Sequence, residues 1–255
     1  MPFKVSALVV LLSLHAQIAE AVSTEEWHKS DLSWQLPADE VSELQVGDKS
    51  FLVLKRAAFT PKVKGTILFI PDWSQHAASP KNLNLLRKEF NDYGWDTLAI
   101  AVPDAPAEDN IEDLQNYKDQ LQQRIEVAMD SAIIENTTVI VIAQGSSAAL
   151  VSQLYADKKL KEPQSLILLE AYLPQAEQQH GLPLAIAKQQ VPTLDLMQQQ
   201  GNQQVAAQWK KRKQLAIQQQ KLLYRQREIS GLVAQAETQQ RVFKEIYGWL
   251  SYQGY

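Results

Sequence analysis

The sequence contains no cysteine and only four histidines among its 255 residues. The lack of cysteine excludes disulfide bonds, thiolate metal sites and a lipid anchor attached to a cysteine side chain. The scarcity of histidine limits the positions at which a general base for nucleophilic catalysis can stand. No glycine-rich segment has the composition of a phosphate-binding loop, so the sequence predicts no nucleotide site.

An excess of positive charge is also missing, because 25 basic residues stand against 29 acidic ones. This balance gives no electrostatic reason to expect nucleic acid as a partner. The basic run KKRK at residues 210–213 lies in a helical pattern, which predicts a solvated helix face. His76 and His180 are far apart in the sequence and the acids lie on helix faces, so we predict no metal site and no cofactor.

The N-terminal residues have the pattern of a secretory signal peptide. Lys4 precedes an apolar stretch from Val5 to Leu14, and the small-residue sequence Ala-Glu-Ala ends at Ala21. The apolar stretch is shorter than the roughly 20 residues of a membrane-spanning helix. We therefore expect cleavage after Ala21, a mature chain from Val22 without a transmembrane segment, and a periplasmic or secreted location.

The rest of the chain, residues 22–255, predicts a single α/β domain. Residues 22–40 show no apolar period and predict an irregular N-terminal arm, and the turn at Gly47 predicts a hairpin. The predicted strands are 41–46, 51–56, 66–70, 96–102, 138–143, 165–169, 191–197 and 221–229. Amphipathic helical patterns separate the later strands. Because parallel strands need right-handed crossovers, this order predicts one doubly wound sheet of about eight mostly parallel strands after an antiparallel hairpin.

The stretch Thr138–Leu150, TVIVIAQGSSAAL, predicts a buried strand, a sharp turn and the start of a helix. In a parallel sheet, functional groups lie in the crevice outside the carboxyl ends of the strands. We therefore expect the functional site of this chain beside this turn.

Several segments together resemble the α/β-hydrolase superfamily: GTILFIPDWSQH, YGWDTLAIAVPD, VIVIAQGSSAA, VPTLDLM, and ISGL before a helix that ends in GWL. The first two resemble a family of bacterial envelope proteins of unknown function within that superfamily. The resemblance covers nearly all of the mature chain. It implies a nucleophile on a Gly-x-Ser-x-Gly elbow, a carboxylate after a later strand and a histidine after the last strand.

The three positions that this resemblance implies hold residues without the required chemistry. Gly145 stands where the nucleophile belongs, and Gln199 and Gly201 stand where the carboxylate belongs. Ala234 stands where the histidine belongs. Asp195 is the nearest acid, but it lies within a predicted strand, so we expect it to be buried or structurally paired. The triad is therefore predicted to be degenerate.

A relocated catalytic site is the alternative. Ser146 and Ser147 are the remaining candidate nucleophiles, although serine at this place commonly caps a helix. His76 is the candidate base, because it follows a strand that ends at the carboxyl edge, and Asp72 or Asp104 is its candidate neighbour.

The same elbow also predicts a small binding cleft. We expect backbone N–H groups near Trp73 and at Ser146 to converge beside Gly145 at the helix N-terminus, in an oxyanion-like arrangement that includes Asp72. A packed loop with a surface histidine is the competing interpretation of the segment that leads to His76.

Three functions follow from these observations. The sequence predicts an exported protein with a degenerate triad that binds a small molecule, a glycan or an envelope protein in the former active-site cleft. The first alternative is a periplasmic ester or thioester hydrolase that uses Ser146 or Ser147 with His76. The second alternative is a structural or assembly factor of the cell envelope.

Overall fold

The structure, a computed structural model, describes residues 23–107, 110–232 and 234–255. The predicted signal peptide at residues 1–21 lies outside the described residues. Within the part of the chain that the structure describes, no helix has the length and apolar character needed to cross a bilayer.

The described residues form a single eight-stranded sheet. Its strands are β1 (Val41–Val46), β2 (Lys49–Arg56), β3 (Gly65–Ile70), β4 (Trp95–Ile100), β5 (Val139–Gln144), β6 (Ser165–Leu169), β7 (Thr193–Gln198) and β8 (Tyr224–Ile229). They lie in the order β1-β2-β4-β3-β5-β6-β7-β8. β2 pairs antiparallel with β1 and β4, and β3 to β8 are parallel. The predicted sheet with its N-terminal hairpin is confirmed.

Seven helices accompany the described strands. They are α1 (Thr24–Gln35), α2 (Leu83–Asp92), α3 (Ile111–Glu135), α4 (Gly145–Ala156), α5 (Ala176–Lys188), α6 (Gln203–Gln218) and α7 (Ala236–Tyr252). Helices α3, α4 and α5 cover one face of the sheet, and α2 and α7 cover the other. Central strands such as β5 are buried on both faces, which explains their continuous runs of β-branched residues.

The prediction that residues 22–40 form an irregular arm is wrong, because most of this segment forms α1. Only Leu32 of this helix is buried, so an apolar stripe that would predict a helix is missing. Its N-terminus is held by acceptors instead. The Ser23 hydroxyl accepts the N–H of Glu26 at 3.2 Å, and the Asp104 carboxylate accepts the N–H of Glu25 at 2.8 Å.

The basic run at residues 210–213 is not solvated throughout, because Arg212 of α6 is completely buried. Its guanidinium lies 3.2 Å from a carboxylate oxygen of Asp195, which stands in the middle of β7 and is also completely buried. The Tyr224 hydroxyl donates to the same carboxylate at 2.7 Å. Asp195 is therefore a structural partner of Arg212, as expected from its place within a strand.

We expect Arg212→Met to lower the free energy of unfolding by about 3–5 kcal/mol, because the buried Asp195 carboxylate loses its charged partner. Lys211→Met and Lys213→Met are matched controls on the same turn of α6. Both lysines are exposed, so each change should stay within about 0.5 kcal/mol. Urea denaturation of the three variants measures the difference, and an equal effect at all three positions would contradict a structural ion pair.

Candidate functional site

The turn between β5 and α4 has the geometry of a sharp strand-to-helix elbow. β5 ends at Gln144 and α4 begins at Gly145, whose φ of +60° lies in the left-handed region. A residue with a side chain pays about 1–2 kcal/mol to adopt this conformation, whereas glycine adopts it freely. The backbone at the apex therefore has the conformation of a strand-to-helix elbow, and glycine stands at the position whose φ is unfavourable for other residues.

The carboxylate of Asp72 fills the space that a side chain at the apex would need. A Cβ atom built on Gly145 would lie 2.8 Å from the Cβ of Asp72 and closer still to its carboxylate oxygen. Real Cβ atoms do not approach neighbours so closely. Asp72 follows β3 and is almost completely buried. The loop after β3 and the elbow after β5 are thus packed in a way that accepts only glycine at residue 145.

Asp72 also binds the backbone donor at the start of α4. Its Oδ1 accepts the N–H of Ser146 at 2.7 Å, and its Oδ2 accepts the Ser74 hydroxyl at 2.6 Å. The N–H of the residue after the elbow apex is the group that stabilises an oxyanion in hydrolases of this elbow type. Here the Asp72 carboxylate accepts the N–H of Ser146, and the positive end of the α4 dipole stabilises the negative charge of this carboxylate.

The two candidate serines lie buried beneath the elbow and face tyrosines. Ser147 is completely buried, and its hydroxyl lies 3.0 Å from the hydroxyl of Tyr117. Burial raises the pKa of Tyr117 far above its usual value. Ser146 is also completely buried. Burial chiefly raises the pKa of the neighbouring Tyr172, and the Ser146 hydroxyl partly opposes this rise.

His76 lies on another side of the loop, against α1. Its ring centroid is 5.1 Å from that of His28, and its Nδ1 accepts the N–H of Ala78 at 3.2 Å. Burial and the nearby His28 lower the pKa of His76. Together with Trp73 and Asp104, His76 lines a small crevice under α1. The structure therefore brings Asp72, Gly145 and Ser146 together and places His76 with the N-terminal helix.

An acid that the sequence interpretation missed stands at the same sheet edge. Glu170 follows β6 directly, and its Oε1 accepts the N–H groups of Gln198 at 3.1 Å and Asn202 at 3.3 Å. Its carboxyl group leaves no space for a side chain at Gly201, where an added Cβ would lie 2.6 Å from the Glu170 Cδ. Burial raises the pKa of Glu170, while the two backbone donors oppose this rise. Its position as the first residue after a buried strand was the available signal.

These residues surround a cavity of about 280 Å³ at the carboxyl ends of the central strands. Asp72, Gly145 and Glu170 line one part of it. Four apolar side chains also line it: Leu169, Leu196, Ile229 and Val242. Three buried amide residues also line it: Asn82, Gln144 and Gln198. The remaining lining residues are polar: Ser74, Gln75, Lys81, Tyr172 and Asn202. The sequence interpretation named none of the three buried amides, because a lone amide carries no motif.

The side-chain oxygen atoms of the three cavity amides have no hydrogen-bond partner within the protein. These oxygens are enclosed by the protein, and the oxygens of Gln175, Gln189, Gln204 and Gln208 outside the cavity are unpaired in the same way, so the unpaired oxygens alone do not mark a binding site. Across residues 23–107, 110–232 and 234–255, no group of three potential ligands is arranged to hold a metal ion. The arrangement can therefore bind a polar molecule, while its backbone oxyanion donor is already in use.

We expect Gly145→Ala to lower the free energy of unfolding by about 2–4 kcal/mol, from left-handed strain plus the collision with Asp72. In an Asp72→Ala background only the strain of about 1–2 kcal/mol should remain. Urea denaturation of the four proteins gives the coupling energy between the two positions.

Gly248→Ala is the matched control for this cycle, because Gly248 lies in α7 with open space around it. Replacing a glycine inside a helix by alanine should raise stability by about 0.5–1 kcal/mol. An equal cost of Gly145→Ala with and without the Asp72 side chain would show that Asp72 does not fill the apex.

Comparison with solved structures finds esterases and lipases. A soluble variant of monoglyceride lipase from Saccharomyces cerevisiae, solved with a substrate analogue, matches with a TM-score of 0.61 and 10% identity over 83% of this chain and 94% of that chain. Est1E from Butyrivibrio proteoclasticus with bound ferulic acid matches with a TM-score of 0.60 and 11% identity over 83% of this chain and 98% of that chain.

A third match is the apo form of Thermogutta terrifontis esterase 2, with a TM-score of 0.61 and 12% identity over 84% of this chain and 94% of that chain. At such low identity these similarities show the α/β-hydrolase fold and not the activity. No curated protein matches the sequence.

A family model described as "Protein of unknown function (DUF3530)" matches residues 14–114 and 105–252. These two segments span most of the sequence, in agreement with the resemblance to a family of unknown function within this superfamily. The chain belongs to the DUF3530 family and has the α/β-hydrolase fold.

Proposed function

We propose that this protein is a non-catalytic member of the α/β-hydrolase fold that binds a small molecule in the cavity beside the elbow. The observation that carries the proposal is the position of the Asp72 carboxylate. It fills the place of a nucleophile side chain at Gly145 and takes the N–H of Ser146. The Asp72 side chain therefore leaves no space for a nucleophile and occupies a backbone N–H that could bind an oxyanion. Acyl-transfer catalysis uses both groups.

The surroundings of the serines support the same proposal. A serine hydroxyl is a weak nucleophile unless a base lies within hydrogen-bond reach. The Ser147 hydroxyl pairs with Tyr117, and burial makes that phenol harder to deprotonate. The ring of His76 packs against the ring of His28 in α1. Binding rather than hydrolysis is the function that this arrangement supports best.

The cavity itself supports a binding role. It is enclosed by the ends of several strands, where ligands of open α/β sheets commonly bind. Its wall combines apolar side chains with a few polar groups, among them three amides, which is the usual composition of a small-molecule site.

We expect the purified protein to remain unlabelled by a fluorophosphonate probe and to leave a panel of esters and thioesters unhydrolysed. The variant Gly145→Ser combined with Asp72→Ala restores a hydroxyl at the apex and removes the blocking carboxylate. It should still be inactive, because Ala234 stands where the resemblance places the histidine. A serine esterase labelled under the same conditions is the positive control.

His76→Ala and Ser147→Ala test the alternative of a relocated hydrolase site. Robust turnover by the unmodified protein that both substitutions abolish would overturn the proposed function. Residual activity alone would not, because binding and backbone donors can leave about 10³–10⁴-fold acceleration over water without a complete triad.

We also propose that the protein acts outside the cytoplasm, on the basis of its signal-peptide pattern. Protein recovered from the periplasmic fraction should begin at Val22 when its N-terminus is sequenced. A Leu11→Arg/Leu12→Arg variant, which interrupts the apolar stretch, should keep its full length and stay in the cytoplasm. Unprocessed wild-type protein confined to the cytoplasm would contradict export.

A further inference from the structure

We propose that the cavity beside the elbow binds an uncharged, hydroxyl-rich ring of monosaccharide size. This inference rests on the proposed binding function and names the chemical class of its ligand. It follows from the three cavity amides, the state of the two carboxylates and the size and apolar part of the wall.

The three cavity amides are the main argument. Asn82 precedes α2, Gln144 ends β5 and Gln198 ends β7, so three separate elements direct an amide to one space. Each is at least nine-tenths buried, and its amide oxygen is enclosed by the protein without a partner. The NH2 end of each amide is therefore the part that can reach the cavity, where it offers two N–H donors. The Asp72 and Glu170 carboxylates in the same wall are acceptors, so neighbouring hydroxyls on a ring, which both donate and accept, match this wall.

The carboxylates disfavour a charged ligand. Asp72 already binds the Ser146 N–H and the Ser74 hydroxyl, and Glu170 already binds two backbone N–H groups. Their charges are therefore partly balanced without a cation, and Lys81 lines the same cavity. An anion would meet both carboxylates, and the donor at the start of α4 that would attract it is taken.

The size of the cavity and its apolar side chains set further limits. At about 280 Å³ its volume lies just below that of typical ligand pockets, which is roughly 300–1,000 Å³. One sugar ring fits this space better than an acyl chain does. Leu196, Ile229 and Val242 form an apolar part of the wall that can pack against the C–H groups of a ring. A free monosaccharide and the end of a longer glycan share this chemistry.

The test is a titration followed by the side-chain amide signals in nuclear magnetic resonance spectra. The probes are D-glucose, D-galactose, D-mannose and N-acetyl-D-glucosamine, with putrescine as a cation and succinate as an anion. We expect at least one sugar to shift the signals of Gln144 and Gln198 in a saturable way. The Asn136 amide, which is bonded to Thr66 and Asp96, should not move.

Gln198→Leu and Asn82→Gly test the amides individually. Each should raise the Kd of the bound sugar at least about tenfold, because each removes one hydrogen bond in a desolvated site. Gln198→Leu should not lower the Tm of the free protein, since it removes a buried polar group without a partner. Glycine tolerates the positive φ of 70° at residue 82, so the second variant keeps the local backbone.

Two kinds of outcome would overturn the inference. Saturable shifts with putrescine or succinate but with no sugar would refute the ligand class and leave the binding function standing. The absence of any shift at Gln144 and Gln198, or a sugar Kd that neither substitution changes, would refute the assignment to this cavity. Labelling by the fluorophosphonate probe would instead overturn the proposed function itself, so the two failures are distinguishable. Binding of a longer glycan with the same amide shifts but tighter Kd would identify a glycan end as the source.

Discussion

The hydrogen bond from the Ser146 N–H to the Asp72 carboxylate is the interaction on which the site depends. It joins the loop after β3 to the elbow after β5 and places a negative charge at the N-terminus of α4. With that carboxylate in place, residue 145 can carry no side chain. The absence of a side chain at residue 145 and the occupation of the Ser146 N–H are therefore one structural feature rather than two independent ones.

Two carboxylates outside the elbow are held by donors of the protein itself. Asp195 is completely buried and binds the guanidinium of Arg212, which is also completely buried, and the hydroxyl of Tyr224. Glu170 is satisfied by two backbone donors. The side-chain oxygens of Gln144 and Gln198 are buried without partners, as are glutamine oxygens outside the cavity, such as that of Gln189. What supports the proposed neutral polar ligand is that the cavity wall combines amides and apolar side chains with two carboxylates that already accept hydrogen bonds from the protein.

Strands and amphipathic helices were predictable because burial on two faces or on one face leaves a direct signature in residue order. Helix α1 was not, since it has one buried residue and is held by the Ser23 hydroxyl and the Asp104 carboxylate, the second of which is distant in sequence. The prediction that Arg212 lies on a solvated helix face was wrong for a similar reason. A basic residue among lysines gives no sign that its partner, Asp195, lies on a neighbouring strand.

The sequence by itself determined the doubly wound sheet and the elbow at Gly145, because periodicity and residue identity are local properties. It also has Gly201 and Ala234 at the positions where the resemblance implies a carboxylate and a histidine. Only the tertiary structure decided what occupies the elbow. Asp72 and Ser146 are 74 positions apart, and the backbone hydrogen bond between them leaves no pattern in either segment. The meeting of three amide residues around one cavity is equally non-local, because each comes from a different part of the chain and only the packed sheet brings them together.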